Sequence, residues 1–150
     1  MEVICVFGMI IAIVSGALMS VQGVFNTAVS KESGQWVTNT FVQFTGFCVC
    51  LAVWFFYERK KHSFFDLMLV DKKYMLLGGV LGACITITVI MAMSAMGPAK
   101  AVLFIVTSQI IVAYLIELFG LFGVEGSSFA WRKCIGAIVA VLGILIFQWE

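Results

Sequence analysis

Five long apolar runs, separated by short polar stretches, account for nearly the whole chain. Each run is close to the 20 or so residues that an α-helix needs to cross the hydrocarbon core of a bilayer. The pattern therefore predicts one all-α integral membrane domain over residues 1–150. Its transmembrane helices are predicted at about 3–29, 36–57, 74–96, 99–122 and 131–149.

Turn-forming and aromatic residues mark the predicted helix ends. Gly97-Pro98 separates the third and fourth helices, because proline suits the first turn of a helix but not its interior. Trp131 and Trp149 bracket the fifth run and are 18 residues apart, about 27 Å along a helix. That length matches the hydrocarbon core. Residues 63–70 place apolar side chains between charges and predict a short interfacial segment.

The overall composition excludes a water-soluble protein. Hydrophobic residues make up 63% of the chain and charged residues 11%, and the mean hydropathy is +1.12. Soluble domains carry about 25% charged residues. The net charge of +1 is spread over short clusters between the apolar runs, so a nucleic-acid-binding face is not expected.

The basic residues predict the orientation of the helices. With five crossings, seven of the nine Lys and Arg residues fall on the side of the N-terminus, in the 58–73 and 123–133 loops. Only Lys31 and Lys100 fall on the other side. Cytoplasmic loops carry the excess of positive charge, so we expect the N-terminus in the cytoplasm and the C-terminus outside.

No catalytic, metal or cofactor site is expected. The sequence contains no phosphate-binding loop, dinucleotide fingerprint, G-x-S-x-G or H-E-x-x-H motif. His62 is the only histidine, and none of the cysteines is in a C-x-x-C pair. The cysteines are interpreted as small packing residues in or beside the apolar runs: Cys5, Cys48, Cys50, Cys84 and Cys134. The chain is therefore not predicted to be an enzyme.

Small residues recur at a spacing of four along several predicted helices, which lets helices approach closely in lipid. They pack either within the chain or against a second subunit. The second interpretation is favoured for at least one stripe, since five short helices have little interior in which to enclose a solute. The candidate packing residues are Gly16, Ser20, Gly78, Gly82, Gly136 and Ala140.

Two pairs of amide side chains lie within apolar runs. Gln22 and Asn26 share one face of the first helix, and Asn39 and Gln43 share one face of the second. Amides in hydrocarbon must find partners inside the bundle. They either join helices by hydrogen bonds or line a substrate cavity, and two pairs together favour the cavity.

Gln109 and Glu117 lie on the fourth helix, and Glu117 is the one clearly intramembrane acid. A carboxylate at such a depth must be paired, hydrated or protonated, which makes it a functional candidate. It either binds a proton or a cationic group of a substrate, or lies near the interface and pairs with Arg132 or Lys133.

These residues resemble the YdcZ-type family of the drug/metabolite transporter (DMT) superfamily. The likeness covers essentially the whole chain and is carried by Gln22-x-x-x-Asn26, Gly46, Gly78-Gly79-x-x-Gly82, Ser108-Gln109, Glu117-x-x-Gly120-Leu121-Phe122-Gly123 and Trp131-Arg132-x-x-x-Gly136. The resemblance implies a five-helix unit that works as an antiparallel pair, related in architecture to the small multidrug resistance (EmrE-like) transporters. Two positions depart from the family pattern: Ser108 stands where glycine is common, and Glu117 where aspartate is common.

The sequence therefore predicts a multi-pass protein of the bacterial inner membrane that exports a small organic solute by secondary transport, with proton coupling as a further hypothesis. The expected binding residues are the five amides and Glu117. The expected partner is an oppositely oriented homologous subunit, because the uneven charge distribution opposes insertion of one chain in both directions. An antiparallel homodimer is the other possibility. The alternative function is a non-transporting membrane scaffold or regulatory subunit.

Overall fold

A computed structural model describes residues 2–147, with side chains from Cys5 onward. Within this range the chain forms α-helices, short 3₁₀-helices and one π-helical turn, and no strand. The α-helices are α1 (Glu2–Ser33), α2 (Gln35–Val53), α3 (Gly78–Met96), α4 (Pro98–Phe119) and α5 (Trp131–Phe147).

Among the described residues, four helical segments are long and apolar enough to cross a membrane: Cys5–Ser33, Gln35–Glu58, Lys73–Met96 and Pro98–Phe119. Their large apolar side chains are mostly exposed, as expected where the surroundings are lipid rather than water. The chain is therefore an all-α membrane protein, as predicted. α5 has 17 residues in the described range, about 26 Å. Trp149, which was predicted to close the fifth crossing, lies outside the described residues, and the fifth crossing stays a prediction.

The chain divides between Ala95 and Met96 into two compact units. The first contains α1, α2 and nearly all of α3, and the second contains α4 and α5. That the whole chain forms one transmembrane domain stays a prediction, as does the orientation of its termini.

Gly34 is the single residue between α1 and α2. It has φ 86° and ψ 151°, a backbone conformation that is essentially restricted to glycine. α1 continues to Ser33, four residues beyond the predicted end, since its polar last turn stays helical until Gly34. Thr38 anchors the turn by donating its hydroxyl to the Gly34 carbonyl at 2.9 Å.

The core of the first unit lies between the second half of α1, the start of α2, and α3. Its buried apolar residues are Ile87, Ile90 and Met93 of α3. A Cβ built on Gly23 of α1 would lie 2.5 Å from Met93 Cε and 3.3 Å from Val89 Cγ1. α1 and α3 therefore touch where α1 has no side chain.

The segment after α2 folds back onto the end of that helix. α2 continues through a π-helical turn, Trp54–Glu58, and the Trp54 indole N–H donates to the His62 carbonyl at 3.1 Å. The Trp54 and Phe64 ring centroids are 4.4 Å apart. The region predicted as interfacial forms a 3₁₀-helix, Phe64–Leu69, whose start is capped by Ser63 and whose side chains are exposed.

In the second unit, glycines flank both ends of the first helix, α4. Gly97, with φ 82° and ψ 161°, precedes Pro98 at the start of α4. α4 ends at Phe119, three residues before the predicted end, because Gly120 adopts the left-handed conformation that terminates helices. A short 3₁₀-helix, Leu121–Gly123, and an irregular segment then lead to α5.

Candidate functional site

Asn39 and Gln43 form a polar network between α2 and α3. Asn39 is 3% exposed and donates its amide to the Ala83 carbonyl at 2.9 Å. Gln43 donates long bonds to Asn39 Oδ1 at 3.5 Å and to Thr86 Oγ1 at 3.4 Å. A Cβ on Gly82 would lie 3.8 Å from the Gln43 amide nitrogen, so the network occupies the space beside that glycine. This pair of amides therefore joins two helices.

Gln22 and Asn26 differ in their surroundings although they lie on one face of α1. Asn26 is 8% exposed, whereas Gln22 is exposed. Within residues 5–147, neither side-chain amide makes a hydrogen bond. Asn26 is thus a mostly buried residue whose amide still reaches the surface, since the one fully buried side-chain polar atom without a partner among the described residues is Ser127 Oγ.

Glu117 forms an ion pair with Lys133 of α5. The two side chains are 45% and 47% exposed, so the pair is only half enclosed by the second unit itself. Glu117 lies two residues before the end of α4, and Lys133 lies two residues after the start of α5. The pair therefore neutralises the intramembrane acid at one end of the helix pair. Of the two basic residues considered from the sequence, Lys133 is the one that makes this contact.

Backbone contacts fix the segment that connects α4 to α5 around this ion pair. The Ser127 N–H donates to the Glu117 carbonyl at 2.9 Å, and the Ala130 N–H donates to the Tyr114 hydroxyl at 3.0 Å. The Lys133 ammonium lies 5.3 Å from the centroid of the Tyr114 ring, within cation–π range. Tyr114 thus contacts both the connecting segment and the charged pair.

A groove of about 660 Å³ lies between α4 and α5, with the ion pair in its wall. Its volume is within the 300–1,000 Å³ typical of small-molecule sites. Apart from Tyr114, Glu117 and Lys133 its lining is apolar or small: Ile110, Ile111, Ala113, Leu115, Cys134, Gly136, Ala137 and Ile138. The arrangement combines an apolar body with one positive and one negative group.

Gln109 is exposed on another part of the α4 surface. It borders a shallow depression with Ser108, Val112, Ala113 and Ile116. Its side chain has no hydrogen bond to any residue in the described range. Gln109 and Glu117 thus contact different surface features of the second unit.

The six predicted binding residues are divided between the two units. Gln22, Asn26, Asn39 and Gln43 belong to the first, and Gln109 and Glu117 to the second. Among these six side chains, the only pair joined by a hydrogen bond is Asn39 and Gln43. That all six surround one solute stays a prediction.

Three contributors were not identified from the sequence: Gly23, Thr86 and Tyr114. Thr86 and Tyr114 carry a recognisable signal, since each is a hydroxyl-bearing residue inside an apolar run. Gly23 lies seven residues after Gly16 and so extends the same helical face.

The predicted packing residues differ in what they face. Among the described residues, a Cβ added at Gly16, Gly78 or Gly136 would meet no atom within 4 Å, whereas one at Gly82 would meet Gln43. The Ser20 hydroxyl donates to the Gly16 carbonyl of its own helix at 3.1 Å, and Ala140 is partly buried. Their role in pairing subunits stays a prediction.

The cysteines are unpaired in the described part of the chain. No group of three or more His, Cys, Asp or Glu side chains there could hold a metal ion.

Comparison with known proteins identifies the family. Residues 7–146 match the model of the family described as "Putative inner membrane exporter, YdcZ", which belongs to the DMT group. No curated protein and no solved structure matches the chain. The family comprises membrane exporters rather than enzymes, and its match agrees with the apolar helices in making the chain a multi-pass inner membrane protein. Because the match covers nearly the whole sequence, the chain belongs to the YdcZ-type family of DMT inner membrane exporters.

Proposed function

We propose that this chain is a secondary transporter that exports a small organic solute as one half of an antiparallel dimer. The observation that carries the proposal is the Glu117–Lys133 pair, which lies in the wall of an apolar groove in a protein of an exporter family. Charged groups within membrane segments are rare and mark solute or ion pathways. The sequence has no ATP-binding motif, so the energy source is expected to be an ion gradient.

An oppositely oriented homologous subunit is the proposed partner. The chain places seven of its nine basic residues on one predicted side, which opposes dual insertion. A reporter fused to the C-terminus of the full chain tests this orientation in intact cells. An external location alone supports a heterodimer. Equal cytoplasmic and external populations would instead support an antiparallel homodimer.

Proton coupling through Glu117 is the finer proposal. A proton that binds the Glu117 carboxylate must weaken its ion pair with Lys133, so protonation and opening of the pair are linked. Gln22, Asn26, Asn39, Gln43 and Gln109 are proposed to supply hydrogen bonds to the solute. In this scheme Gln43→Ala mainly weakens substrate affinity, whereas a change at Glu117 alters the pH dependence of transport.

The test uses the protein reconstituted into vesicles, alone and with a homologous partner, and measures proton flux while a broad solute panel is added. Glu117→Gln is expected to lose solute-dependent proton flux, and Glu58→Gln, which removes a carboxylate from the π-helical turn, is the matched control. The double variant Glu117→Gln/Lys133→Gln removes both charges. If the double variant transports with normal pH dependence, the carboxylate only pairs with Lys133 and coupling lies elsewhere.

A scaffold or regulatory subunit is the alternative. It is favoured by the exposure of Gly16, Gly78 and Gly136, which offer small-residue surfaces to another membrane protein. Absence of flux across the whole panel, with and without the partner, would favour this function over transport.

A further inference from the structure

We infer that the α4–α5 groove recognises a small zwitterion with an apolar body, in which an ammonium and a carboxylate lie a few atoms apart. The inference rests on the proposed export function and names the substrate class of that site. It follows from the way in which the groove combines its two charges with its apolar wall.

The ion pair keeps free bonding positions on both of its members. Lys133 donates to Glu117 Oε2 and, with three N–H groups, has two further donors. Glu117 Oε1 makes no hydrogen bond within the described residues. Both side chains are about half exposed, so a solute in the groove has access to them. The pair thus presents an acceptor for an ammonium beside a donor for a carboxylate.

The net charge of the site after binding depends on the charge of the solute. A lone organic cation at Glu117 Oε1 leaves the site with a net charge of +1 beside an apolar wall, and a lone anion at Lys133 leaves it with a net charge of −1. Unpaired charges in such surroundings carry a large desolvation penalty. A zwitterion supplies one partner to each side chain, so binding leaves no additional unpaired charge. Charge matching therefore favours a zwitterion over a lone cation or a lone anion.

Beyond the two charges, the lining of the groove is mostly apolar. Isoleucine, leucine and alanine side chains form most of the wall and provide apolar contact for the body of the solute. Tyr114 is held in place because its hydroxyl accepts the Ala130 N–H at 3.0 Å. Its ring lies 5.3 Å from the Lys133 ammonium, beside the position proposed for the solute's charged end. An α-amino acid with an aliphatic or aromatic side chain has this combination of groups.

Three probes with the same side chain test the charge requirement: L-leucine, L-leucinamide and N-acetyl-L-leucine. They are a zwitterion, a cation and an anion, respectively. Equilibrium binding to the full-length protein is measured in nanodiscs of phosphatidylglycerol. L-leucine is expected to bind at least about tenfold more tightly than either derivative, which corresponds to about 1.4 kcal/mol.

The variants test whether the ion pair is responsible. Glu117→Gln and Lys133→Gln are each expected to weaken leucine binding about tenfold, and Glu58→Gln and Lys100→Gln, which lie outside the groove, are the matched controls. The exchanged variant Glu117→Lys/Lys133→Glu keeps both charges and is expected to regain most of the binding. This recovery also shows that lost binding in the single variants is not caused by misfolding.

Three results would overturn the inference. Equal or tighter binding of L-leucinamide, with Lys133→Gln unaffected, would assign the groove to cations. Leucine binding in phosphatidylglycerol that disappears in phosphatidylethanolamine nanodiscs would assign it to a zwitterionic lipid headgroup. Absence of leucine binding in a protein that still transports another solute would reject the zwitterion site but retain the exporter. Absence of all transport would instead reject the proposed function.

Discussion

The two units of the chain use polar side chains in different ways. In the first unit, Asn39 is buried and its amide bonds an α3 carbonyl, which joins two helices. In the second unit, Glu117 and Lys133 are half exposed and lie in the wall of an open groove. A polar group whose partners are all within the fold stabilises that fold. One that keeps unused bonding capacity at a groove is available to a solute.

This contrast predicts that substitution of Asn39 mainly changes stability, whereas substitutions of the ion pair change binding and transport. Asn26 is an exception to this contrast, because it is buried in the first unit and yet has no hydrogen-bond partner among the described residues. Its amide therefore keeps unused bonding capacity, as the ion pair at the groove does.

The largest effect on stability is expected for Gly34→Ala. The φ of 86° and ψ of 151° at this position are strained for any residue with a Cβ, by about 1–3 kcal/mol. Thermal unfolding in detergent measures the loss. Gly46→Ala is the matched control, because Gly46 lies within α2 and a Cβ there meets no described atom within 4 Å. Equal stability of the two variants would contradict the proposed strain.

A smaller loss is expected for Asn39→Ala. Removing the bond to the Ala83 carbonyl is expected to destabilise the protein by about 1 kcal/mol, which is within the range measured for interhelical bonds in membranes. The same unfolding measurement applies, with the exposed Thr40→Ala as control. If Asn39→Ala instead left stability unchanged and removed solute binding, the Asn39 amide would serve the solute rather than the contact between α2 and α3.

The sequence predicts the helices better than the contacts between them. Apolar runs and glycines determine where helices form and end, although the polar last turn of α1 extends to Ser33 because only Gly34 interrupts it. Helical periodicity does not predict how deeply Gln22 and Asn26 are buried. They share a face by periodicity, but Asn26 is buried and Gln22 is exposed, and the sequence does not show that α3 contacts α1 at Gly23 through Met93.

Helical periodicity does not predict which basic residue pairs with Glu117 either. Arg132 and Lys133 are adjacent in sequence and point about 100° apart around a helix. Either satisfies the requirement that Glu117 be neutralised. The backbone contacts of Ser127 and Ala130 with α4 set how the chain enters α5, and this entry brings Lys133 to Glu117.

Gly23→Ala tests the packing of the first unit. It is expected to lower the free energy of unfolding by about 1 kcal/mol, the lower end of the range for overpacked cores. The added Cβ would overlap Met93 Cε at 2.5 Å, but that atom is the flexible end of a side chain and can move. Gly16→Ala, which meets no described atom within 4 Å, is the control. The second substitution Met93→Ala should relieve the overlap, so the cost of Gly23→Ala should shrink in that background. An unchanged cost would place the strain elsewhere.

The smallest effect is expected for Tyr114→Phe, which keeps the aromatic ring and removes only the hydroxyl that accepts the Ala130 N–H. One neutral hydrogen bond contributes about 0.5–1.5 kcal/mol, and the second anchor, from Ser127 to the Glu117 carbonyl, remains. Global stability should therefore change little. Hydrogen exchange in nanodiscs should nevertheless become faster at residues 124–131, because local opening of this segment no longer breaks the bond to Tyr114. Peptides from α2 and α3 should exchange at the wild-type rate. Uniformly faster exchange in both units would show that the hydroxyl supports the whole fold rather than the connection beside the ion pair.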